Sequence, residues 1–375
     1  MAFASFDPLR LAFIGGALNS AVGFTHFNAS RLDGHFRVDA GCFSRDSGQN
    51  GHTAHVYGVA PQRVYHNVRE LLDAEAGRVD AVVVLTPTPS HAEIVCEALE
   101  AGFPVICEKA LAVSSAECRM IEAVAERKRG YLAVTYNYSG YPMVRELRRM
   151  IQEGKLGKIQ QIQIEMPQEG YLRLGANPQG WRRMDYGVPT VSLDLGVHVH
   201  HLVDFLTGGR KPLRVVGDQA SYGQFSGLID NVYCIAHYEE GIRVNAWWGK
   251  TALGLRNGLR IRVFGDAASA EWYQMQPEDL NWANNDGRHC VLDRGSVEAM
   301  TAQQPRYNRF KAGHPSGFIE AFANLYGDIA GELRARKAGE CLRSEFVYGA
   351  SHSREGLQFL ERISASAEQQ AWLRA

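Results

Sequence analysis

Asp194 and His198 lie four residues apart in a run, 191–206, whose apolar spacing predicts a helix, so they share one helical face. An imidazole with its ordinary pKa near about 6.5 can take a proton from a hydroxyl at neutral pH. A carboxylate one turn away can orient that ring, stabilise its charged form or meet the substrate directly. Lys109 follows the apolar run 105–107 at the end of a predicted strand, where an ammonium can hydrogen-bond an oxygen that is gaining negative charge. Oxidation of a secondary alcohol needs such a base, such a donor, and a hydride acceptor held against the carbon. The same residue types also suit a satisfied structural Asp/His pair and a surface lysine at a helix entry. With His201 the face further offers an Asp/His/His set for a metal ion, although one helix rarely presents three ligands to one ion without distortion.

A hydride acceptor requires a nucleotide site, and the first strand-to-helix turn is suited to one. The apolar run 9–14 passes straight into Gly15-Gly16-Ala17-Leu18-Asn19-Ser20-Ala21-Val22-Gly23. Residues without a side chain let a backbone approach a pyrophosphate at a helix N-terminus. The strict G-x-G-x-x-G is absent, its first-to-last spacing being stretched by three residues. On this reading Gly15 and Gly16 make the turn beside Ala17, Asn19 or Ser20 caps the helix, and Gly23 allows close helix packing. About 20 residues further on, such sites commonly present Asp or Glu to the adenosine ribose. Here the second strand ends in Phe43-Ser44-Arg45, and a hydroxyl with a guanidinium suits a 2′-phosphate, which favours NADP over NAD. Asp46 stands close enough to reverse that preference.

These residues must be positioned by regular elements. Short runs at 9–14, 38–43, 81–85, 105–107 and 131–135 read as buried strands, separated by helical stretches at 23–32, 68–75, 91–101 and 114–129. Alternation of this kind implies right-handed crossovers and a doubly wound parallel sheet over residues 1–135. From 136 the pattern changes. A helix and a strand precede a polar stretch rich in Gly and Arg, then comes the helix at 191–206, and later strand-like runs lack crossover helices. Residues 136–375 should therefore form an α+β domain with a large, mostly antiparallel open sheet. Overall the fold class is α/β.

Composition narrows the partners. With 45% apolar and 22% charged residues among 375, the chain is an ordinary globular one. Forty Lys and Arg against 41 Asp and Glu give a net charge of -1, so no global positive field exists to attract nucleic acid or an anionic membrane. Seven cysteines without a C-x-x-C pair suit a reducing compartment, and residues 1–13 lack the charge and apolar run of a leader, so a cytoplasmic protein is expected.

Three further stretches now join the glycine turn: Thr86-Pro87-Thr88-Pro89-Ser90-His91, Cys107-Glu108-Lys109-Ala110 and Asp194-Leu195-Gly196-Val197-His198. In that order and spacing the chain resembles the glucose-fructose oxidoreductase and inositol dehydrogenase family, Gfo/Idh/MocA, and the likeness extends to Gly313-His314-Pro315-Ser316-Gly317-Phe318. The resemblance implies a Rossmann-type N-terminal domain and a homodimeric or homotetrameric NAD(P)-dependent oxidoreductase of sugars, inositols or related polyols, with Lys109, Asp194 and His198 catalytic. It also implies that Thr86 and Pro87 face the cofactor. His91 then reads as a helix-start residue beside the cofactor segment, and Glu108 as a contact to the nicotinamide ribose. For substrate, Trp181, Arg182 and His314 offer an apolar face and polar donors, and Tyr138 and Tyr141 follow the domain crossover. Two departures stand out: Ala110 replaces the family's proline, and His201 occupies a position commonly held by Asp. The family also admits NAD-dependent glycosidases and non-catalytic sugar or dinucleotide sensors.

Overall fold

A computed structural model describes residues 7–375. Residues 1–6, the opening of the stretch read as lacking a leader, lie outside the described residues. The first part of the chain alternates as its β-branched runs require: β1 (Leu9–Gly15), α1 (Gly23–Arg31), β2 (Phe36–Cys42), α2 (Ser47–Tyr57), α3 (Val68–Glu75), β3 (Ala81–Leu85), α4 (His91–Glu100), β4 (Val105–Cys107), α5 (Ser115–Lys128) and β5 (Leu132–Val134). The five strands form one parallel sheet in the order β2-β1-β3-β4-β5. Val82, Val83, Val84 and Ile106 are wholly buried, as expected for strands covered on both faces. The order reverses at β1, which leaves a topological switch point at the carboxyl ends of β1 and β3, the place where such sheets bind ligands. Gly15 pairs with Leu85, and Val84 pairs with Cys107, so Gly15, Thr86 and Glu108 emerge side by side at that end.

The later part contributes α6 (Pro142–Gln152), β6 (Ile159–Pro167), α7 (Val197–Thr207), β7 (Pro212–Ala220), β8 (Asn231–Tyr238), β9 (Arg243–Gly249), β10 (Arg260–Gly265), β11 (Ala268–Tyr273), β12 (Gln276–Asn284), β13 (His289–Leu292), α8 (Phe318–Lys337), α9 (Ala350–Gln369) and β14 (Leu373–Arg374). Its nine-stranded sheet runs β13-β12-β11-β10-β6-β9-β8-β7-β14, antiparallel except for the parallel β6–β9 pair. Along β9, Val244, Ala246 and Trp248 alternate inward. In β12 and β13 polar residues hide the alternation, and Leu280 and Leu292 are the buried side chains.

The chain divides into two compact units: residues 7–112, 116–140 and 318–353 in one, and 113–115, 141–317 and 354–375 in the other. Residues 318–353, beyond the expected boundary at 135/136, fall in the first unit. Helix α8 places Phe322, Tyr326 and Ile329 in the core of the first unit with Leu11, Phe13, Phe27 and Phe36. An apolar stripe shows that a helix needs a partner, but it does not say which sheet supplies one.

Candidate active site

In the first unit the glycine turn is built as a cradle. Gly15 and Gly16 hold φ of 80° and 76°, in the left-handed region that a β-carbon disfavours. A β-carbon on Gly15 would lie 2.8 Å from the Thr86 nitrogen, and one on Gly23 only 2.1 Å from the Gly16 oxygen. The turn is braced by the Tyr57 hydroxyl, which donates to the Gly16 carbonyl at 3.0 Å, and by Leu18 N–H donating to Thr53 Oγ1 at 3.3 Å. Of the two candidate caps, Ser20 accepts from the Gly23 N–H at 2.8 Å, while Asn19 is exposed. Ala17 is buried beneath the turn. At the end of β2, Ser44 is half-buried and Arg45 exposed, and Asp46 caps α2 by accepting from Gln49 N–H at 2.7 Å. Thr86 is half-buried, Pro87 exposed, and Lys109 half-buried just past β4. The Lys109–Ala110 peptide bond is cis although residue 110 is alanine.

Glu108, expected at the nicotinamide ribose, is an internal residue. Its carboxylate is buried, accepts from the Thr135 hydroxyl, and has Oε1 3.0 Å from His26 Nε2. Burial would raise its pKa, but the hydrogen bond and charge of His26 outweigh that and hold it below the usual carboxylate range. His91 is also internal, its two ring nitrogens lying 2.8 Å from the Ala110 carbonyl and 2.7 Å from that of Thr86.

In the second unit the predicted helix at 191–206 begins as a π-helical segment, Ser192–Gly196, before continuing as α7. Such segments recur at functional sites. The segment is pinned by Trp248, whose indole N–H donates to the Ser192 hydroxyl at 3.1 Å. A β-carbon on Gly196 would lie 2.9 Å from Leu360 Cδ2 and 3.0 Å from Trp248, so any larger residue would push these side chains back. Two residues beyond each partner, the Lys250 ammonium donates to Asp194 Oδ2. The other oxygen accepts from Arg182 Nη2 at 3.3 Å. Asp194 is thus clamped between two cations. Arg182 in turn stacks on Trp181, 4.7 Å from its ring centre, and its carbonyl accepts from Tyr171 Oη at 3.3 Å. The Lys250 nitrogen stands 5.1 Å from the Tyr171 ring centre. Burial, reinforced by the Asp194 charge, pushes the Tyr171 phenol far up. A cavity of about 690 Å³ opens beside these groups, lined by Gln168, Tyr171, Arg173, Asn177 and Lys250 among others. His198 is buried on the same helix.

The chain's residues 9–136 match the model of the oxidoreductase family with an NAD-binding Rossmann fold, and residues 144–271 match that of the GFO/IDH/MocA C-terminal domain. It is 32% identical to the uncharacterized oxidoreductase YfiI of Bacillus subtilis over 96% of this chain and 95% of that one. The chain belongs to the Gfo/Idh/MocA oxidoreductase family. A solved inositol dehydrogenase homolog of Azotobacter vinelandii, complexed with NADH and myo-inositol, is 31% identical with a TM-score of 0.88, each chain covered to 98%. The inositol 2-dehydrogenase of Corynebacterium glutamicum is 25% identical over 49% of this chain and 51% of its own.

For a Gfo/Idh/MocA protein the glycine cradle fits a nicotinamide dinucleotide, and Gly15, Gly16, Ser20, Thr86 and Pro87 are the residues that would hold it. The other expected side chains divide. Arg182 and Trp181 gather about Asp194, whereas His314 is exposed against Phe310 at 4.5 Å, its carbonyl held by Arg294 at 2.7 Å. Tyr138 is buried against Phe318 in the first unit, and Tyr141 is a core residue of the second, packed on Trp272. His201 is fully buried beside Phe205, and among the described residues no group of three or more His, Cys, Asp or Glu is disposed to hold a metal ion. Lys250 escaped the sequence reading, although it continues the inward alternation of Val244, Ala246 and Trp248. Gly23→Ala should cost about 1–3 kcal/mol of stability through overpacking and weaken dinucleotide binding. Denaturant unfolding and a nucleotide titration read both, and unchanged affinity in the folded variant would remove this turn from the nucleotide site.

Proposed function

We propose that this protein transfers a hydride between a nicotinamide dinucleotide and a secondary alcohol of a sugar, inositol or related polyol. The observation that carries the reading is Lys109 at the carboxyl end of β4, in register with the glycine cradle through β3. The dinucleotide, when bound, supplies the hydride acceptor or donor. Lys109 hydrogen-bonds the reacting oxygen and stabilises charge as it develops there. His198 takes the hydroxyl proton, and Asp194, held by Arg182 and Lys250, accepts from substrate hydroxyls. The test is a reduced-cofactor absorbance screen of inositols, aldoses and their derivatives with NAD and NADP. Turnover with a polyol supports the reading. Nucleotide binding without turnover on any of them would make the protein a sensor, and release of free sugar from a glycoside would make it a glycosidase.

On this chain the coenzyme reading favours NADP. Asp46 is committed to its helix cap, which leaves Ser44 and the exposed Arg45 at the end of β2. The relatives solved with NADH and NAD+ mark NAD as the competing choice. Arg45→Ala should weaken NADP binding about tenfold by removing one charge-assisted bond, with NAD unaffected. Equal losses in binding titrations would sink the preference. We further infer a homodimer or homotetramer working in a reducing cytoplasm, in keeping with seven scattered cysteines that form no C-x-x-C pair; light scattering reads the assembly. Among the described residues no helix is long and apolar enough to cross a membrane.

A further inference from the structure

The segment Glu108-Lys109-Ala110 is gripped on both sides by buried histidines that the proposed chemistry does not use. Before Lys109, the Glu108 carboxylate meets Thr135 and His26 Nε2, the latter at 3.0 Å, and His26 Nδ1 lies 2.8 Å from the Tyr326 hydroxyl. His26 and Thr135 are wholly buried and Tyr326 nearly so. The chain of contacts therefore joins α1, the ends of β4 and β5, and α8. After Lys109, His91 Nδ1 reaches the Ala110 carbonyl at 2.8 Å and Nε2 that of Thr86 at 2.7 Å. Carbonyl oxygens only accept, so a neutral ring donates to one of them and a protonated ring to both. His91 thus ties the loop after β4 to the loop after β3.

The need for such a grip follows from the residues themselves. A lysine ammonium stands on a flexible four-carbon stem, so its reach is directed only if its own backbone is fixed. Alanine at 110 does not constrain φ as proline would, and backbone direction there must come from tertiary contacts. Each histidine fixes one neighbour of Lys109: His26 holds residue 108 through its side chain, and His91 holds residue 110 through its carbonyl.

We propose that His26 and His91 are positioning residues for Lys109, acting through Glu108 and through the Ala110 carbonyl. The proposal rests on the role given to Lys109 above. Its test uses the full chain as His91→Ala, His91→Gln and Glu108→Gln, the last two keeping size and polarity so that the readout does not depend on an alanine variant folding. Two readouts are taken in folded protein: the reductive methylation rate of Lys109, by peptide mass spectrometry with the exposed Lys155 as internal reference, and steady-state kinetics on a polyol found in the screen. His91→Ala and Glu108→Gln should change the Lys109 rate severalfold relative to Lys155 and lower kcat by about 10²-fold with a much smaller change in KM, the cost of a displacement near 1 Å. His91→Gln retains a donor for one carbonyl and should recover part of both. Unchanged methylation of Lys109 in both His91 variants and in Glu108→Gln overturns the proposal. The methylation readout needs no substrate, so a wild-type chain inert toward polyols would refute the function assigned to it while leaving the positioning decided.

Discussion

Alanine at Lys109 or at His198 should remove turnover by about 10² to 10⁴ while leaving dinucleotide affinity nearly intact. Both side chains are assigned to the reacting oxygen of the substrate, so neither is needed to hold the nucleotide, which we assign to the turn of Gly15 and Gly16 and the backbone near Thr86. The two losses should differ in kind. Without His198 the hydroxyl proton must leave to water, and the rate should respond to added imidazole or formate as substitute bases. Without Lys109 the developing charge lacks its donor, and no added base restores the rate, because the missing interaction strengthens only as the alkoxide forms. His198 is buried, so His198→Ala requires a parallel unfolding curve to separate a lost base from a lost core contact. Steady-state kinetics with nucleotide titrations decide the matter. A near-normal kcat in Lys109→Ala would refute the mechanism.

How far the sequence discloses this site depends on the range of the interactions that build it. The glycine turn is a local matter: a strand, residues lacking side chains, then a helix, and the steric cost of a β-carbon at Gly15 or Gly23 follows from neighbours that the βαβ pattern already implies. The parallel sheet is equally legible, because β-branched runs such as 81–85 are buried on both faces. Long-range partners are not written in any period. Asp194 reads as a companion of His198 one turn away, yet its described partners come from a loop 12 residues earlier and a strand end 56 residues later. Glu108 reads as a nucleotide contact because it precedes Lys109, and only the fold brings His26 from 82 residues away to bury its carboxylate. The same limit explains α8, which follows the second sheet in the chain but packs in the first unit.

Lys250→Met should destabilise the protein and lower kcat/KM by about 10²-fold, and it tests what Asp194 is for. The Lys250 and Asp194 side chains are 9% and 13% exposed, so the pair is largely withdrawn from water. Removing one partner of a buried pair typically costs about 3–5 kcal/mol because the other charge is stranded. Here Arg182 still faces the remaining carboxylate at 3.3 Å, so a smaller cost of about 1–3 kcal/mol is expected. The functional loss has a separate origin. With Lys250 gone, Asp194 loses one of its two described cationic partners, and a carboxylate proposed to accept from a substrate hydroxyl loses part of its direction. A double-mutant cycle with Asp194→Asn separates the two effects. Neutralising both partners leaves no buried carboxylate short of a cation, and Arg182, 23% exposed, can turn its charge toward water, so Asp194→Asn with Lys250→Met should regain stability relative to Lys250→Met alone. If Asp194 binds substrate, turnover stays low in the double variant despite that recovery. A wild-type kcat/KM in Lys250→Met, or activity that returns together with stability in the double variant, would make the clamp a structural ion pair and shift substrate binding elsewhere.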